Sequence, residues 1–140
     1  EPTVRDEMSL EAANPIIPTD RAPDNKSARA TWAASYIRAA EDLKISVFQS
    51  NPDVNRPATR GEVVQIVLEV MGFPITKTLS TFSDVPADHP YNRAIAFATF
   101  AGFVGGDTDA EGTPLNRFRP NDNINRAEVA KIIALAKEVL

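Results

Sequence analysis

The chain has 140 residues, 43% of them hydrophobic, and a net charge of −4, which allows one compact domain or two small ones. It has no cysteine, so disulfides, thiolate zinc sites and cysteine nucleophiles are excluded. The acidic balance lacks the basic footprint of a duplex nucleic-acid binder. The longest apolar-rich runs, Val63–Met71 and Ile95–Val104, are interrupted and fall short of the roughly 20 residues of a membrane span. Neither nucleic acid nor membrane insertion is therefore expected.

In chain order, residues 1–30 come first and differ from the rest. Pro2, Pro15, Pro18 and Pro23 forbid any long helix outside Asp6–Ala13, so this stretch reads as an extended arm or linker. The chain begins Glu1-Pro2 rather than with Met, which fits a cleaved signal peptide or an excised segment.

From residue 31 the chain repeats itself. Ile37, Ala40 and Ile45 correspond to Ile95, Ala98 and Phe103 at an offset of 58. Arg60, Glu62 and Val63 correspond to Arg126, Glu128 and Val129 at an offset of 66, so one insertion of eight residues in the second turn reconciles the two blocks. The expected units are residues 31–78 and 79–140. Each reads as helix–loop–helix, and the expected fold is all-α: tandem repeats behind an extended N-terminal arm. In the first unit Trp32, Tyr36, Ala40 and Leu43 predict one apolar face, and Val63, Ile66, Val67 and Val70 another. In the second, Val129, Ile132, Ile133, Ala136 and Leu140 form the matching stripe. Gly72 and Gly102 stand where helices should stop.

Thr59-Arg60-Gly61-Glu62 and Asn125-Arg126-Ala127-Glu128 have the form of a capping box ahead of an apolar run. The Thr or Asn side chain accepts from the amide three residues on, and the Glu reaches back to the cap. Thr59, Glu62, Asn125 and Glu128 are therefore expected as helix caps. The box leaves the arginine without a task. A helix N-terminus carries about half a positive charge, and a guanidinium beside it adds planar donors for a carboxylate or phosphate. Arg60 and Arg126 thus read either as a repeated anion site or as surface arginines paired with a carboxylate such as Asp84.

Phe82-Ser-Asp84-Val-Pro86, His89-Pro-Tyr91, Ile95, Gly102, Gly106-Asp107, Phe118-Arg-Pro120 and Ile124-Asn-Arg126-Ala-Glu128 together resemble an S-layer homology repeat. Residues 82–133 carry that resemblance. Residues 32–73 are similar more weakly, through Trp32, Ile37, Ala40, Pro57 and Thr59–Glu62. The resemblance implies a secreted, noncatalytic module that attaches a surface protein to a secondary cell-wall polymer or modified peptidoglycan, often pyruvylated. The pyruvate carboxylate would suit the arginines. Carried over position by position, the implied ligand residues are Arg126, Arg60, Asp84, Trp32 and Tyr91. The sequence departs from the family pattern in having two repeats where three are common. Asn125 stands for Thr, Gly61 for Ala and Tyr91 for Trp, and Pro18-Thr-Asp20 is only a remnant of Phe-Ser-Asp. A homo-oligomeric surface subunit that docks through residues 1–30 is the alternative.

The remaining candidates point elsewhere. Asp107-Thr-Asp109-Ala-Glu111-Gly112 begins like a calcium loop, but Phe118 occupies the place of the bidentate Glu, so a polar turn is expected. His89 is the single histidine, too few for a His-rich metal site, and is expected to start a helix. No cofactor or metal is expected, and no paired acids stand out for a wall hydrolase.

Overall fold

The computed structural model describes residues 21–139. Among them are four α-helices: α1 (Ala34–Asp42), α2 (Arg60–Met71), α3 (Asn92–Ala101) and α4 (Arg126–Val139), with 3₁₀ turns at Lys26–Ala28 and Ser46–Ser50. The described residues form no strand, only isolated bridges between Thr59 and Asn123 and between Thr108 and Pro114. The fold is all-α. Helix starts recur in register with the sequence offsets: Ala34 and Asn92 lie 58 apart, Arg60 and Arg126 lie 66 apart. Residues 1–20 of the expected arm, with Asp6–Ala13 and Pro18–Asp20, lie outside the described residues, as does Leu140.

The chain divides into two compact units, Glu1–Asn55 and Arg56–Leu140. In the first, a buried carboxylate organises the approach to α1. Glu41 accepts from the Asp24 and Asn25 amides at 2.9 and 2.8 Å. Asn25 in turn donates to Pro52 O at 2.6 Å and accepts from Ala28 N at 3.1 Å. The face expected to be buried on α1 is instead open: Trp32 is 86% exposed and Tyr36 55%. Leu43 is also exposed, and the helix buries Ala39 and Glu41. Periodicity finds an apolar stripe but cannot say what covers it.

In the second unit α2 packs against both α3 and α4. Val64, Val67, Leu68, Ala94, Ile95, Ala98, Phe103, Phe118, Ile132 and Ala136 form its core. The buried stripe of α2 lies one residue on from the expected set, and Val70 is 61% exposed. The run from Val63 to Met71 is apolar nearly all round, so the sequence period does not select the face. On α4 Ile132 and Ala136 are buried, while Ile133 is 42% exposed. Gly72 and Gly102 close their helices at φ +77° and +87°, a conformation that a Cβ penalises.

Candidate functional site

The two capping motifs fold alike and differ in what surrounds them. At α2 the Thr59 hydroxyl accepts from Glu62 N at 3.2 Å and Thr59 N donates to Glu62 Oε1 at 2.9 Å, closing the box. The amides of Arg60 and Gly61 donate to Asp122 O and Pro120 O, both at 2.9 Å, and Ile124 N returns a bond to Ala58 O at 3.1 Å. Each of the first three amides of α2 therefore has an acceptor. Gly61 eases this approach, because a Cβ there would lie 3.2 Å from Pro120 O and 3.1 Å from Tyr91 Cδ2 and would press on both.

Arg60 is 7% exposed. Its Nε donates to Phe118 O at 2.9 Å, its guanidinium carbon lies 4.6 Å from the Phe118 ring centroid, and Nη1 pairs with Glu128. A carbonyl, an aromatic face and a carboxylate thus surround one guanidinium. Glu62 forms a two-pronged pair with Arg56. That pair holds the Glu62 carboxyl below the usual carboxylate range, against the opposing effect of burial.

At α4 the same local bonds form. Asn125 Oδ1 accepts from Glu128 N at 2.8 Å, and Asn125 N donates to Glu128 Oε1 at 3.3 Å. Here the likeness ends. Arg126 is exposed. Among the described residues it has no carboxylate partner, and neither its amide nor that of Ala127 has an acceptor. The α4 N-terminus therefore presents two amides and a guanidinium together.

Asp84 pairs with neither arginine. Its oxygens accept from Phe118 N and Arg119 N at 2.9 and 2.8 Å, while Ser83 donates to Asn116 O through both its amide and its hydroxyl. Phe82 stacks on Phe118 at 5.7 Å. The Phe-Ser-Asp segment thus clamps the 116–119 loop that reaches Arg60. Tyr91 is half-buried against Gly61, and burial, then the nearby Glu62 charge, pushes its phenol up. His89 accepts from Tyr91 N at Nδ1, so in the neutral ring Nε2 carries the proton and donates to Asn121 Oδ1 at 2.9 Å. Trp32 belongs to the other unit.

The structure thus gathers Arg60, Asp84, Tyr91 and all four capping residues around the 116–125 segment, with Arg126 at the open end of α4. Sequence reading missed three groups. Arg56 lies just outside the Thr59–Glu62 motif, and no motif marks it. The Asp107 cluster, in which Arg119 and Arg117 hold the carboxyl low, starts in a segment whose sequence reads only as a polar turn. Asn25 and Glu41 have no counterpart in the second unit that could have flagged them. Asp109 accepts from Glu111 N and Thr113 N, both at 2.9 Å. Among the described residues no group of acidic or histidine side chains could hold a metal ion, and no helix is long and apolar enough to cross a membrane.

Comparison with known proteins places these motifs. The S-layer homology domain model matches residues 81–130. An amylopullulanase of Thermoanaerobacterium thermosulfurigenes is 29% identical over 111 residues, which are 78% of this chain and 6% of that protein. Exoglucanase XynX of Acetivibrio thermocellus is 28% identical over 111 residues, 78% of this chain and 10% of that protein. The chain therefore spans a tenth or less of the length of these relatives. No solved structure matches it.

Proposed function

Because residues 81–130 belong to the S-layer homology domain family, a family of cell-wall and surface attachment modules, we propose that this chain is a noncatalytic anchor. Its ligand is an anionic secondary cell-wall polymer, of which a pyruvylated glycan is the fitting kind, and its place is the outer face of the cell wall. The helix starts at offsets of 58 and 66 support reading it as two tandem repeats, residues 31–78 and 79–140.

One observation carries the ligand assignment: the contrast between the two helix starts. At α2 the loop carbonyls occupy the amides and Glu128 occupies the guanidinium. At α4 the equivalent donors are unoccupied and exposed. A carboxylate bridging Arg126 and the two free amides would gain charge-assisted hydrogen bonds at a helix N-terminus. On this reading Arg126 is the principal contact. Arg60 and Asp84 hold the loop behind it, and Tyr91 lies against Gly61 in the same unit; Trp32, in the other unit, is a separate exposed ring that a sugar face could stack on, outside this site.

The test is a pull-down with purified cell-wall sacculi, before and after acid extraction of the secondary polymer. The proposal expects binding to the intact sacculi and its loss after extraction. Equal binding to both preparations would rule out the polymer as ligand.

A further inference from the structure

We propose that the first unit carries a binding site of its own, a polar cleft at the end of α1 that takes one uncharged, N-acetylated sugar residue. The chain supplies an internal control for this part of the fold. Shifting α1 by 58 residues gives α3, and both helices close with the same pair of bonds. In α1 these run from Lys44 N to Glu41 O and from Ile45 N to Ala40 O; in α3 they run from Gly102 N to Thr99 O and from Phe103 N to Ala98 O. Over this matched stretch the second unit carries Ala96, Thr99, Phe100 and Gly102, where the first carries Arg38, Glu41, Asp42 and Lys44. Charged groups therefore stand in the first unit where the same turn of fold is made without them.

Keeping them there is costly. Glu41 is 7% exposed. The Arg38 side chain, 17% exposed, faces Asp24 at 3.3 Å, Asp42 at 3.2 Å and Glu41 at 3.8 Å. Its Nε, although that close to Asp42, is buried in a geometry that makes no hydrogen bond, and a buried ion pair gains little over apolar packing. Lys44 holds φ at +62° where its counterpart is Gly102 at +87°, a conformation that a Cβ penalises. Packing explains neither choice.

These side chains, with Phe48, Gln49 and Asn51, line a cleft of about 120 Å³. Gln49 spends its Nε2 on Glu41 O and Ile45 O, which leaves its Oε1 to accept. Asn51 spends its Oδ1 on Lys26 N, which leaves its Nδ2 to donate. One amide acceptor and one amide donor lining the same cleft suit the N–H and C=O of an acetamido group. The Lys44 ammonium pairs with no carboxylate among the described residues. It can donate to sugar hydroxyls while Asp24 and Asp42 accept from them, and the half-buried Phe48 ring offers an apolar wall to a sugar face. A peptide brings one backbone donor and one acceptor per residue, too few for this density of polar groups. Arg21, Arg38 and Lys44 balance Asp24, Glu41 and Asp42, so no net charge selects an anion. The volume is below the roughly 300–1,000 Å³ of a site that encloses a drug-sized ligand, so a single ring enters. The site lies in the other unit from Arg126 and takes an uncharged ligand, so it goes beyond the polymer-carboxylate reading and does not rest on it.

An amide-resolved NMR titration of the full chain with N-acetylglucosamine tests it. Saturable shifts are expected at Lys44, Gln49 and Asn51, with the Kd of about millimolar that one small ring reaches. Glucose, which lacks the acetamido group, and alanyl-alanine, the peptide alternative, should each bind about tenfold more weakly. Asn51→Asp keeps the acceptor for Lys26 N and removes the donor from the cleft. Lys44→Gly removes the ammonium and installs the counterpart residue. Each should weaken sugar binding about 2- to 10-fold. The thermal melt should be unchanged in Asn51→Asp and the same or higher in Lys44→Gly, and one variant suffices should the other alter the fold. Arg126→Ala should bind the sugar as the wild type does. Absence of saturable shifts at the cleft, equal binding of glucose or the dipeptide, wild-type affinity in a folded Asn51→Asp or Lys44→Gly, or loss of the sugar in Arg126→Ala would each overturn the proposal.

Discussion

Arg60 and Arg126 occupy the same position in the same motif, and their surroundings give them opposite tasks. Arg60 is packed between Phe118 and Glu128, so Arg60→Ala would leave Glu128 unpaired and Phe118 O without its donor. Removing one partner of a buried pair costs about 3–5 kcal/mol. The Glu128 side chain is 34% exposed and can rehydrate, so about 2 kcal/mol is expected by chemical denaturation. Arg126→Ala should move stability by less than about 0.5 kcal/mol. Gly106→Ala is the packing counterpart. Its Cβ would fall 2.5 Å from Phe82 Cε1, displacing the ring that stacks on Phe118, at a cost of about 1–3 kcal/mol in the same measurement. The caps were legible in the sequence because their bonds span three residues. The surroundings of Arg60 were not, because its partners lie 58 and 68 residues away.

The capping box and the loop clasp make the acid response of α2 and of the second unit predictable. The Glu62 carboxyl is held low chiefly by its hydrogen bond to Arg56, and the Asp107 carboxyl chiefly by Arg119. A carboxylate with a depressed folded pKa binds fewer protons in the native state. Its contribution is complete above the unfolded value, near 4.5 for Glu and 3.8 for Asp, and is lost as pH falls below it. Stability should therefore decline from about pH 5 downward. Glu62→Gln and Asp107→Asn should each flatten part of that slope in unfolding curves taken between pH 3 and 6; an unchanged slope in both would refute the assignment. Thr59→Ala should cost about 1 kcal/mol at neutral pH through the lost cap. The helices themselves were legible from their caps, apolar runs and terminal glycines. Their buried faces were less so. In α2 nearly every side is apolar, and in α1 the apolar stripe carries no record of whether a partner covers it.

Across the whole molecule, the compact units divide between Asn55 and Arg56, which is inside the first proposed repeat. The reason is packing: α2 shares its core with α3 and α4, and every residue of that core lies between positions 64 and 136. A fragment of residues 56–140 is therefore expected to unfold cooperatively by itself and to keep polymer binding; a fragment without a melting transition would contradict this. The net charge of −4 opposes an anionic ligand at long range. Attraction must come from Arg126 and the α4 amides at short range, and added salt should weaken it. The most direct test is the binding isotherm of Arg126→Ala on solubilised wall polymer, with a thermal melt of the same preparation. A charged hydrogen bond of about 1.5–3 kcal/mol corresponds to roughly 10- to 150-fold weaker binding, and the melt should match the wild type. Binding at wild-type strength, or binding lost only together with the fold, would contradict the account.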